Sequence, residues 1–396
     1  MSAPGNDAPR KIYLIATEES GDRLGGALMR ELRARVGDRV TFEGIGGHAM
    51  AEQGLASLFP IEELSIMGFA AVVQRLPSLL RLIRRAADAV LAASPDILVI
   101  IDSPDFTHRV AKRVRARAPS IPIVDYVSPT VWAWRPGRAR AMNSYVDHVL
   151  ALLPFEPEAY RRLHGPTCSY VGHPLTQQID TLRPNAEEQH RRDGDPPILL
   201  VLPGSRRSEV RHHAAAFGAT VAELRQQGVA FTPVLPTTPR LEALVREVTA
   251  EWAVQPQIVV GEDAKRAAFR TARAALAKSG TVTLELAIAS VPMVTAYRAG
   301  SVEVWIARRV VKLSTVILAN LVIGDNVVPE YLQEDCVPEK LVPALHDVLG
   351  NTPARRRQLE AFAKIDRILS TGQETPSGRA AAIVLDVLNK GRSANL

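Results

Sequence analysis

Two carboxylates three positions apart follow a run of five apolar residues, and their spacing predicts different tasks for them. Asp102 and Asp105 flank a Ser-Pro pair directly after the apolar run 97–101. Because proline favours the first turn of a helix, Ser103 or Asp105 is predicted to cap a helix that begins near Pro104. Asp102 is then left at the carboxyl end of a strand, where a carboxylate can act as a general base. The alternative is that Asp102 only braces the turn.

The loop after the first predicted strand is acidic. Its sequence, IATEESGDRLGG, does not match GxGxxG, so a dinucleotide fingerprint is not supported. Glu18, Glu19 and Asp22 oppose a phosphate at this turn, which suits sugar hydroxyls better. Ser20 or Asp22 can cap the following helix, and this leaves Glu18 without a structural task.

A Pro-Gly-Ser turn in the second half, at 203–205, joins a predicted strand to a helix that begins with two arginines. Backbone amides at a helix N-terminus, together with a guanidinium group, form a phosphate site. Arg206 is the candidate for this site. One of the pair Arg206 and Arg207 is expected to face solvent.

A second glycine turn, Ser279-Gly280-Thr281, also lies between a predicted strand and a helix. Its amides can bind a diphosphate, and Glu285, one helical turn beyond Thr281, can bridge two ribose hydroxyls. Together these residues predict the nucleotide-diphosphate half of a site for a sugar nucleotide, although SGT is common in α/β loops.

These turns require α/β elements to position them. Short apolar runs alternate with helical patterns in both halves of the chain, which predicts α/β architecture with two Rossmann-like, doubly wound domains. Open sheets of this kind bind ligands beyond the carboxyl ends of their strands, so an interdomain cleft is expected. The predicted boundaries are 11–172 and 198–366 for the two domains, 173–197 for a connector, and 367–396 for a C-terminal helical segment and tail.

Composition narrows the function classes. The 396 residues are 46% hydrophobic and 23% charged, as in soluble globular proteins, and 48 Lys and Arg exceed 42 Asp and Glu. This mild basic excess suits a phosphate-bearing ligand or an anionic membrane surface and is too weak to indicate nucleic acid. Cys168 and Cys336 support neither a disulfide framework nor a zinc site. With neither a membrane-spanning run nor a signal peptide, a cytoplasmic chain is expected.

Ten motifs along the chain resemble those of the lipid-A-disaccharide synthase family. In order they are TEESGD, IMGF, DSPDF, YVSPTVWAWRPGR, LLPFE, VGHPL, LPGSRRSEV, KSGTVTLELA, ANLVIG and LQEDC, and the resemblance covers about residues 11–388. It implies a B-type glycosyltransferase fold. It also implies transfer of 2,3-diacylglucosamine from its UDP conjugate to 2,3-diacylglucosamine 1-phosphate, forming a β(1→6) disaccharide and UDP without a metal or other cofactor.

The resemblance also implies roles for single residues. Asp102 matches the catalytic aspartate of the family, and five residues match its substrate-binding positions: Glu18, Ser20, Arg206, Glu285 and Asn320. Three neighbouring residues depart from the family pattern and leave the shape of the first loop open: Thr17, Glu19 and Ala319.

The acylated substrates direct attention to residues 66–85, where ten apolar residues alternate with four arginines. Such a segment is predicted to hold acyl chains at the cytoplasmic face of the inner membrane and to meet anionic headgroups. The alternative is a core helix with an arginine face. The apolar range 302–323 suggests a homodimer.

The motif YVSPTVWAWRPGR leaves its own alternatives open. Trp132, Trp134, Arg135 and Arg138 can stack on a sugar or bind the acceptor phosphate, or the tryptophans can pack in the core with one arginine reaching the substrate.

Two other functions also remain, a UDP-sugar 2-epimerase on the same scaffold and a non-catalytic binding protein.

Overall fold

The computed structural model describes residues 9–64, 69–298 and 315–391. The chain forms two units. The first contains the residues up to 174 together with those from 371, and the second contains residues 175–370.

The first unit is built on a parallel six-stranded sheet in the order β2-β1-β3-β4-β5-β6. Its strands are β1 (Arg10–Ala16), β2 (Val40–Ile45), β3 (Ile97–Ile101), β4 (Ile123–Tyr126), β5 (His148–Ala151) and β6 (Thr167–Tyr170). Its helices are α1 (Glu19–Val36), α2 (His48–Ala51), α3 (Phe69–Ala93), α4 (Pro104–Arg117), α5 (Gly137–Met142) and α6 (Glu156–Arg162), with short 3-10 turns at Gly37–Arg39 and Ile61–Leu64.

Alternate residues of the central strands enter two separate hydrophobic clusters. Leu98 and Ile100 belong to one cluster, whereas Ile97, Val99 and Ile101 belong to the other. Because successive strand residues point to opposite faces, an apolar run without alternation is what a strand covered on both faces requires. The prediction of doubly wound sheets is confirmed.

The second unit repeats this plan with the order β12-β11-β10-β7-β8-β9, again all parallel. Its strands are β7 (Ile198–Leu202), β8 (Thr232–Thr237), β9 (Gln257–Val260), β10 (Ala274–Lys278), β11 (Met293–Tyr297) and β12 (Glu330–Leu332). Its helices are α7 (Ile179–Leu182), α8 (Ala186–Asp193), α9 (Arg207–Gln226), α10 (Glu242–Thr249), α11 (Glu262–Thr271), α12 (Val282–Ile288), α13 (Leu318–Ile323), α14 (Pro338–Leu349), α15 (Pro353–Phe362) and α16 (Ile365–Leu369). Further 3-10 turns lie at Pro174–Gln178, Pro239–Leu241 and Gln333–Asp335.

The C-terminal segment belongs to the first unit. Helix α17 (Pro376–Lys390) packs on α1, and its Val384 and Leu388 enter the cluster that contains Ile97. The Arg35 side chain donates from Nη2 to the carbonyl of Gly378 at 2.9 Å. This long-range return leaves no local signal in the sequence.

The predicted connector, 173–197, carries helices α7 and α8. The contacts of Arg192 in α8 are polar, which explains the missing apolar period there. Arg192 is buried, and its guanidinium donates to the carbonyls of Phe269, Arg270 and Ser290. Such hydrogen bonds satisfy a buried charge without an apolar face.

Candidate functional site

Asp102 lies in a two-residue left-handed turn at the carboxyl end of β3. Its φ is 54° and that of Ser103 is 46°, a conformation that costs non-glycine residues energy and is often found at functional sites. The Ser103 amide donates to Asp102 Oδ1 at 2.7 Å. Ser103 occupies the cap position of α4 without a side-chain cap bond, and Thr107 Oγ1 instead donates to the Asp102 carbonyl at 2.7 Å.

The Asp102 carboxyl is half-buried, and burial raises its pKa above the ordinary value. The hydrogen bond from the Ser103 amide acts in the opposite direction, whereas the charges of Glu18 and Asp125 raise the pKa further. A carboxylate with a raised pKa is a stronger base than an ordinary aspartate. The turn therefore presents a group suited to accept a proton.

The acidic first loop divides its residues between two tasks. Glu18 and Ser20 are exposed at the start of α1, and the helix has no side-chain cap. Asp22 is buried, and its carboxylate accepts the amides of Gly47 at 2.7 Å and Ala49 at 2.8 Å. Asp22 thus caps the neighbouring helix α2 rather than its own helix. The Glu18 side chain stays exposed.

The tryptophan motif also divides. Trp132 donates from Nε1 to the buried carboxyl of Glu156 at 3.1 Å and packs edge-on against Phe155, which gives it a structural task. The guanidinium of Arg135 lies 4.3 Å from the ring centroid of Trp134. Arg138 pairs with Asp105 at 3.3 Å and so lies close to the turn that carries Asp102.

The second unit contains a pocket of about 790 Å³, a volume that includes space open to solvent. Its lining comes from the carboxyl ends of β7, β8 and β10, and from the starts of α9, α11 and α12. The lining includes four of the residues around the two predicted glycine turns: Ser205, Gly280, Thr281 and Glu285. This is the position at which parallel sheets bind ligands.

Two lysines with no role predicted from the sequence reach this pocket, Lys265 and Lys278. Lys265 forms an ion pair with Glu285 at 2.6 Å, and Lys278 forms one with Glu209 at 3.1 Å. Burial acts to lower the pKa of Lys265, but the charge and hydrogen bond of Glu285 outweigh it and the pKa is raised. The raised pKa keeps the Lys265 ammonium group positive, and a cation in this pocket can neutralise an anionic ligand.

The Pro-Gly-Ser turn is held by Glu209, whose Oε2 accepts the amides of Ser205 at 3.0 Å and Arg206 at 3.3 Å. Gly204 has a φ of 137°, and a Cβ there would lie 2.4 Å from the Cβ of Glu209. Burial acts to raise the pKa of Glu209, but Lys278 and the loop amides outweigh it and lower the pKa. The Arg206 side chain is 74% exposed and lies outside the described pocket lining.

Ser279 and Asn320 are buried, and their side chains are engaged within the fold. Ser279 donates to Glu330 Oε1 at 3.3 Å. Asn320 is 2% exposed, and it donates to the carbonyl of Val328 while its Oδ1 accepts the amides of Val327 and Val328. Ser279 directly precedes Gly280 of the pocket lining, whereas Asn320 holds the loop at Val327 and Val328. Sequence spacing gives no sign of this burial.

The part of the chain that the structure describes contains neither a metal-binding cluster nor a membrane-spanning helix. Within residues 9–64, 69–298 and 315–391, no group of three or more His, Cys, Asp or Glu side chains is placed to hold a metal ion. Across the same ranges, no helix combines the length and apolar character needed to cross a membrane.

Solved structures with a similar fold include sugar-nucleotide enzymes. UDP-GlcNAc 2-epimerase from Neisseria meningitidis aligns with a TM-score of 0.62 at 11% identity, covering 96% of this chain and 100% of that chain. The calicheamicin glycosyltransferase CalG4 aligns with a TM-score of 0.57 at 17% identity, covering 98% and 99%. These identities show a shared fold alone, and they confirm the predicted fold class.

Sequence comparison is more specific. A family model described as lipid-A-disaccharide synthetase matches residues 12–384. A protein of Rhodopseudomonas palustris named lipid-A-disaccharide synthase is 78% identical over 387 residues, covering 98% of each chain. A protein of the same name from Rhodospirillum centenum is 44% identical over 385 residues, covering 96% of each. Because the family model spans almost the whole sequence and these relatives match it end to end, the chain belongs to the lipid-A-disaccharide synthetase family.

Proposed function

We propose that this chain transfers 2,3-diacylglucosamine from its UDP conjugate to the 6-hydroxyl of 2,3-diacylglucosamine 1-phosphate. The products are a β(1→6)-linked disaccharide 1-phosphate and UDP, in lipid A biosynthesis. Membership in the family supports the overall reaction. The observation that carries the mechanism is Asp102, a half-buried carboxyl with a raised pKa in a strained turn at a strand end.

Asp102 acts as the general base. It accepts the proton of the acceptor 6-hydroxyl while that oxygen forms its bond to the anomeric carbon, and the bond from that carbon to the diphosphate breaks as UDP leaves. One displacement inverts the anomeric centre and needs one base. The diphosphate leaves without a protonating acid because positive groups stabilise its charge.

The pocket of the second unit holds the UDP part of the donor. Glu285 binds the ribose hydroxyls, and its ion pair with Lys265 orients the carboxylate. The amides of Gly280 and Thr281, with Lys278 and the exposed Arg206, receive the diphosphate. Ser279 supports the turn that presents the amides of Gly280 and Thr281, and Asn320 holds the loop at Val327 and Val328.

The sugar and acceptor side is assigned to the first unit. The exposed Glu18 and Ser20 bind sugar hydroxyls beside Asp102, as the charge of Glu18 on that carboxyl indicates. Arg135, stacked on Trp134, is the candidate for the acceptor phosphate, whereas Trp132 and Arg138 have partners within the unit.

One assay separates this reaction from its alternatives. UDP release from UDP-2,3-diacylglucosamine is measured with and without the acceptor 1-phosphate, and release that requires the acceptor supports the transferase. A UDP-sugar 2-epimerase would convert UDP-GlcNAc without an acceptor, and a binding protein would retain UDP affinity without releasing UDP from mixed substrates. Either result would contradict the proposal.

We also propose that the chain works at the anionic cytoplasmic face of the inner membrane. On the described part of α3, Arg81, Arg84 and Arg85 are exposed while Ile83 on the same helix is buried. Residues 66–68 of the predicted segment lie outside the described residues. An exposed basic face on an enzyme with acylated substrates supports electrostatic contact with lipid headgroups.

Charge reversal tests this contact. Replacing Arg81, Arg84 and Arg85 by Glu is expected to reduce co-sedimentation with anionic liposomes, and high salt is expected to reduce that of the unsubstituted protein. The control reverses three exposed arginines of the second unit, Arg356, Arg357 and Arg367. If the unsubstituted protein, the α3 variant and the control variant bind anionic liposomes equally at low and high salt, α3 is an ordinary core helix.

A homodimer is the last part of the proposal. Most of the apolar range 302–323 lies outside the described residues, but Val316 within it is a large hydrophobic residue that is 40% exposed. We expect sedimentation equilibrium to show a dimer and Val316→Asp to weaken it. A monomer at all concentrations would contradict this assignment.

A further inference from the structure

A buried cluster of polar groups lies behind the Asp102 turn. His108 of α4 has its Nε2 3.3 Å from Asp125 Oδ2 of β4, and its Nδ1 lies 3.0 Å from the Tyr145 hydroxyl. All three residues are buried, and Asp125 is 0% exposed. Among the described residues, neither carboxylate oxygen of Asp125 accepts a hydrogen bond. Its contact with His108 is therefore the main interaction that offsets its burial.

A carboxylate in this position is costly to the fold. Removing one ion from water costs several kcal/mol unless a partner and hydrogen bonds compensate it, and an apolar residue would fill the same space without that cost. The other titratable and charged groups that face the cluster come from every element around it, and none of them donates a hydrogen bond to Asp125: Asp102 at the end of β3, Lys112 of α4, Arg138 of α5, Tyr145, Glu156 and Tyr160 of α6, and Cys168 of β6. Packing therefore does not explain Asp125.

The cluster is joined to the catalytic turn on two sides. Asp125 is paired in register with Ile100, two residues before Asp102, and the carbonyl of its neighbour Tyr126 accepts the Asp102 amide at 3.0 Å. On α4, Thr107 immediately precedes His108, and its hydroxyl donates to the carbonyl of Asp102 at 2.7 Å. The contact between His108 and Asp125 thus connects α4 with β4. Each of these two elements accepts or donates a hydrogen bond that holds the left-handed turn.

The cluster also acts on Asp102 through charge. The largest cause that raises the pKa of Asp102 is its burial, and the charges of Glu18 and Asp125 add to it. Glu18 lies on an exposed loop, where solvent screens its charge, whereas Asp125 is fully buried and its charge is screened less. Asp125 is therefore the fixed electrostatic neighbour of the base.

We propose that Asp125, oriented by His108, is a positioning residue that holds the Asp102 turn and sets the basicity of its carboxylate. This inference rests on the proposed role of Asp102 as the base. Asp125 itself touches no substrate and exchanges no proton with it. A negative charge behind Asp102 strengthens its attraction for the proton of the attacking hydroxyl.

The test is the pH dependence of kcat in acceptor-dependent UDP release. Asp125→Asn keeps the shape and an acceptor for His108 but removes the charge. Because that charge raises the pKa of Asp102, its loss is expected to move the acid limb of the profile to lower pH. The maximal kcat is expected to fall several-fold with an unchanged KM for the donor, since a weaker base transfers the proton less well.

A matched control is Asp147→Asn in the same unit. Asp147 accepts the amide of Ile123 at the opposite end of β4 and pairs with Arg115, so the change removes a carboxylate charge without touching the turn. It is expected to leave the acid limb in place. An acid limb that stays unmoved in Asp125→Asn, or that moves equally in Asp147→Asn, would overturn the proposal.

A second pair of variants covers the case in which Asp125→Asn does not fold. His108→Leu removes the polar contact that orients Asp125, so the acid limb is expected to move as above. His108→Gln retains an N–H donor and is expected to restore the limb. Equal profiles for the two would refute the role of His108. Asp102→Asn with full activity would refute the proposed base instead, which keeps the two failures distinct.

Discussion

The stability of the first unit is predicted to fall as pH rises through neutrality because of Glu156. This carboxyl is buried, and burial raises its pKa from 4.5 to about 7, against the hydrogen bonds from Trp132 Nε1 and the Leu153 amide. A folded-state pKa above the unfolded one means that the stabilising contribution is complete below pH 4.5 and is lost as pH rises through 7. The shift corresponds to about 3 kcal/mol in total, most of it between pH 5 and pH 8.

The comparison of Glu156→Gln with the unsubstituted protein isolates this contribution. Because the amide does not titrate, the variant is expected to lack this part of the pH dependence. It is also expected to be less stable overall, because one hydrogen-bond donor now faces the NH₂ group of the glutamine. Hydrogen exchange of peptides that cover β5 and α6, measured at pH 5, 6, 7 and 8 after correction for intrinsic exchange, gives local stability. Parallel curves for the two proteins would refute the reasoning.

The remaining predictions concern the nucleotide pocket. Glu285→Ala and Arg206→Ala are each expected to weaken UDP binding by about 1 to 3 kcal/mol in calorimetry, the scale of lost charge-assisted hydrogen bonds, whereas the exposed Glu360→Ala leaves it unchanged. Unaltered affinity in both site variants contradicts the assignment. Gly204→Ala is expected to reduce both thermal stability and UDP affinity, because its Cβ clashes with Glu209 and its φ is strained, and normal values for both would contradict that explanation.

Local sequence signals were sufficient for the strands and for the turns that follow them. Apolar runs such as Ile97–Ile101 end where the chain leaves the sheet, and glycine marks turns whose backbone requires it, as at Gly204. Because parallel strands place their carboxyl ends at one edge, a residue directly after a strand is near a ligand site without further information. This is why Gly280, Thr281 and Glu285 could be placed beside a pocket from their spacing.

Pairings between distant parts of the chain could not be predicted in this way. The ion pair between Lys265 and Glu285 joins two helices, and nothing near Lys265 in the sequence marks it as a pocket residue. Asn320 matched a family motif, and the structure places it in a buried brace. Such roles depend on which side chains the fold brings within hydrogen-bond distance. A single sequence does not show which distant residues become neighbours in this way.

Asp102 shows how the fold supports a reactive group at a cost to its own stability. Asn favours left-handed backbone and retains the Oδ1 acceptor for the Ser103 amide, so Asp102→Asn preserves the turn. Loss of a general base is expected to lower kcat by about 10² to 10⁴, with UDP affinity unchanged.

Because burial raises the pKa of Asp102, its charged form destabilises the fold as pH rises through that pKa, and the variant avoids this loss. Thermal melts should therefore favour the variant increasingly from acid to neutral pH, while its activity is lower throughout. Near-full activity would show that the strand ends at Asp102 for structural reasons alone, and a stability difference that does not change with pH would show that its carboxyl is solvated like any surface aspartate.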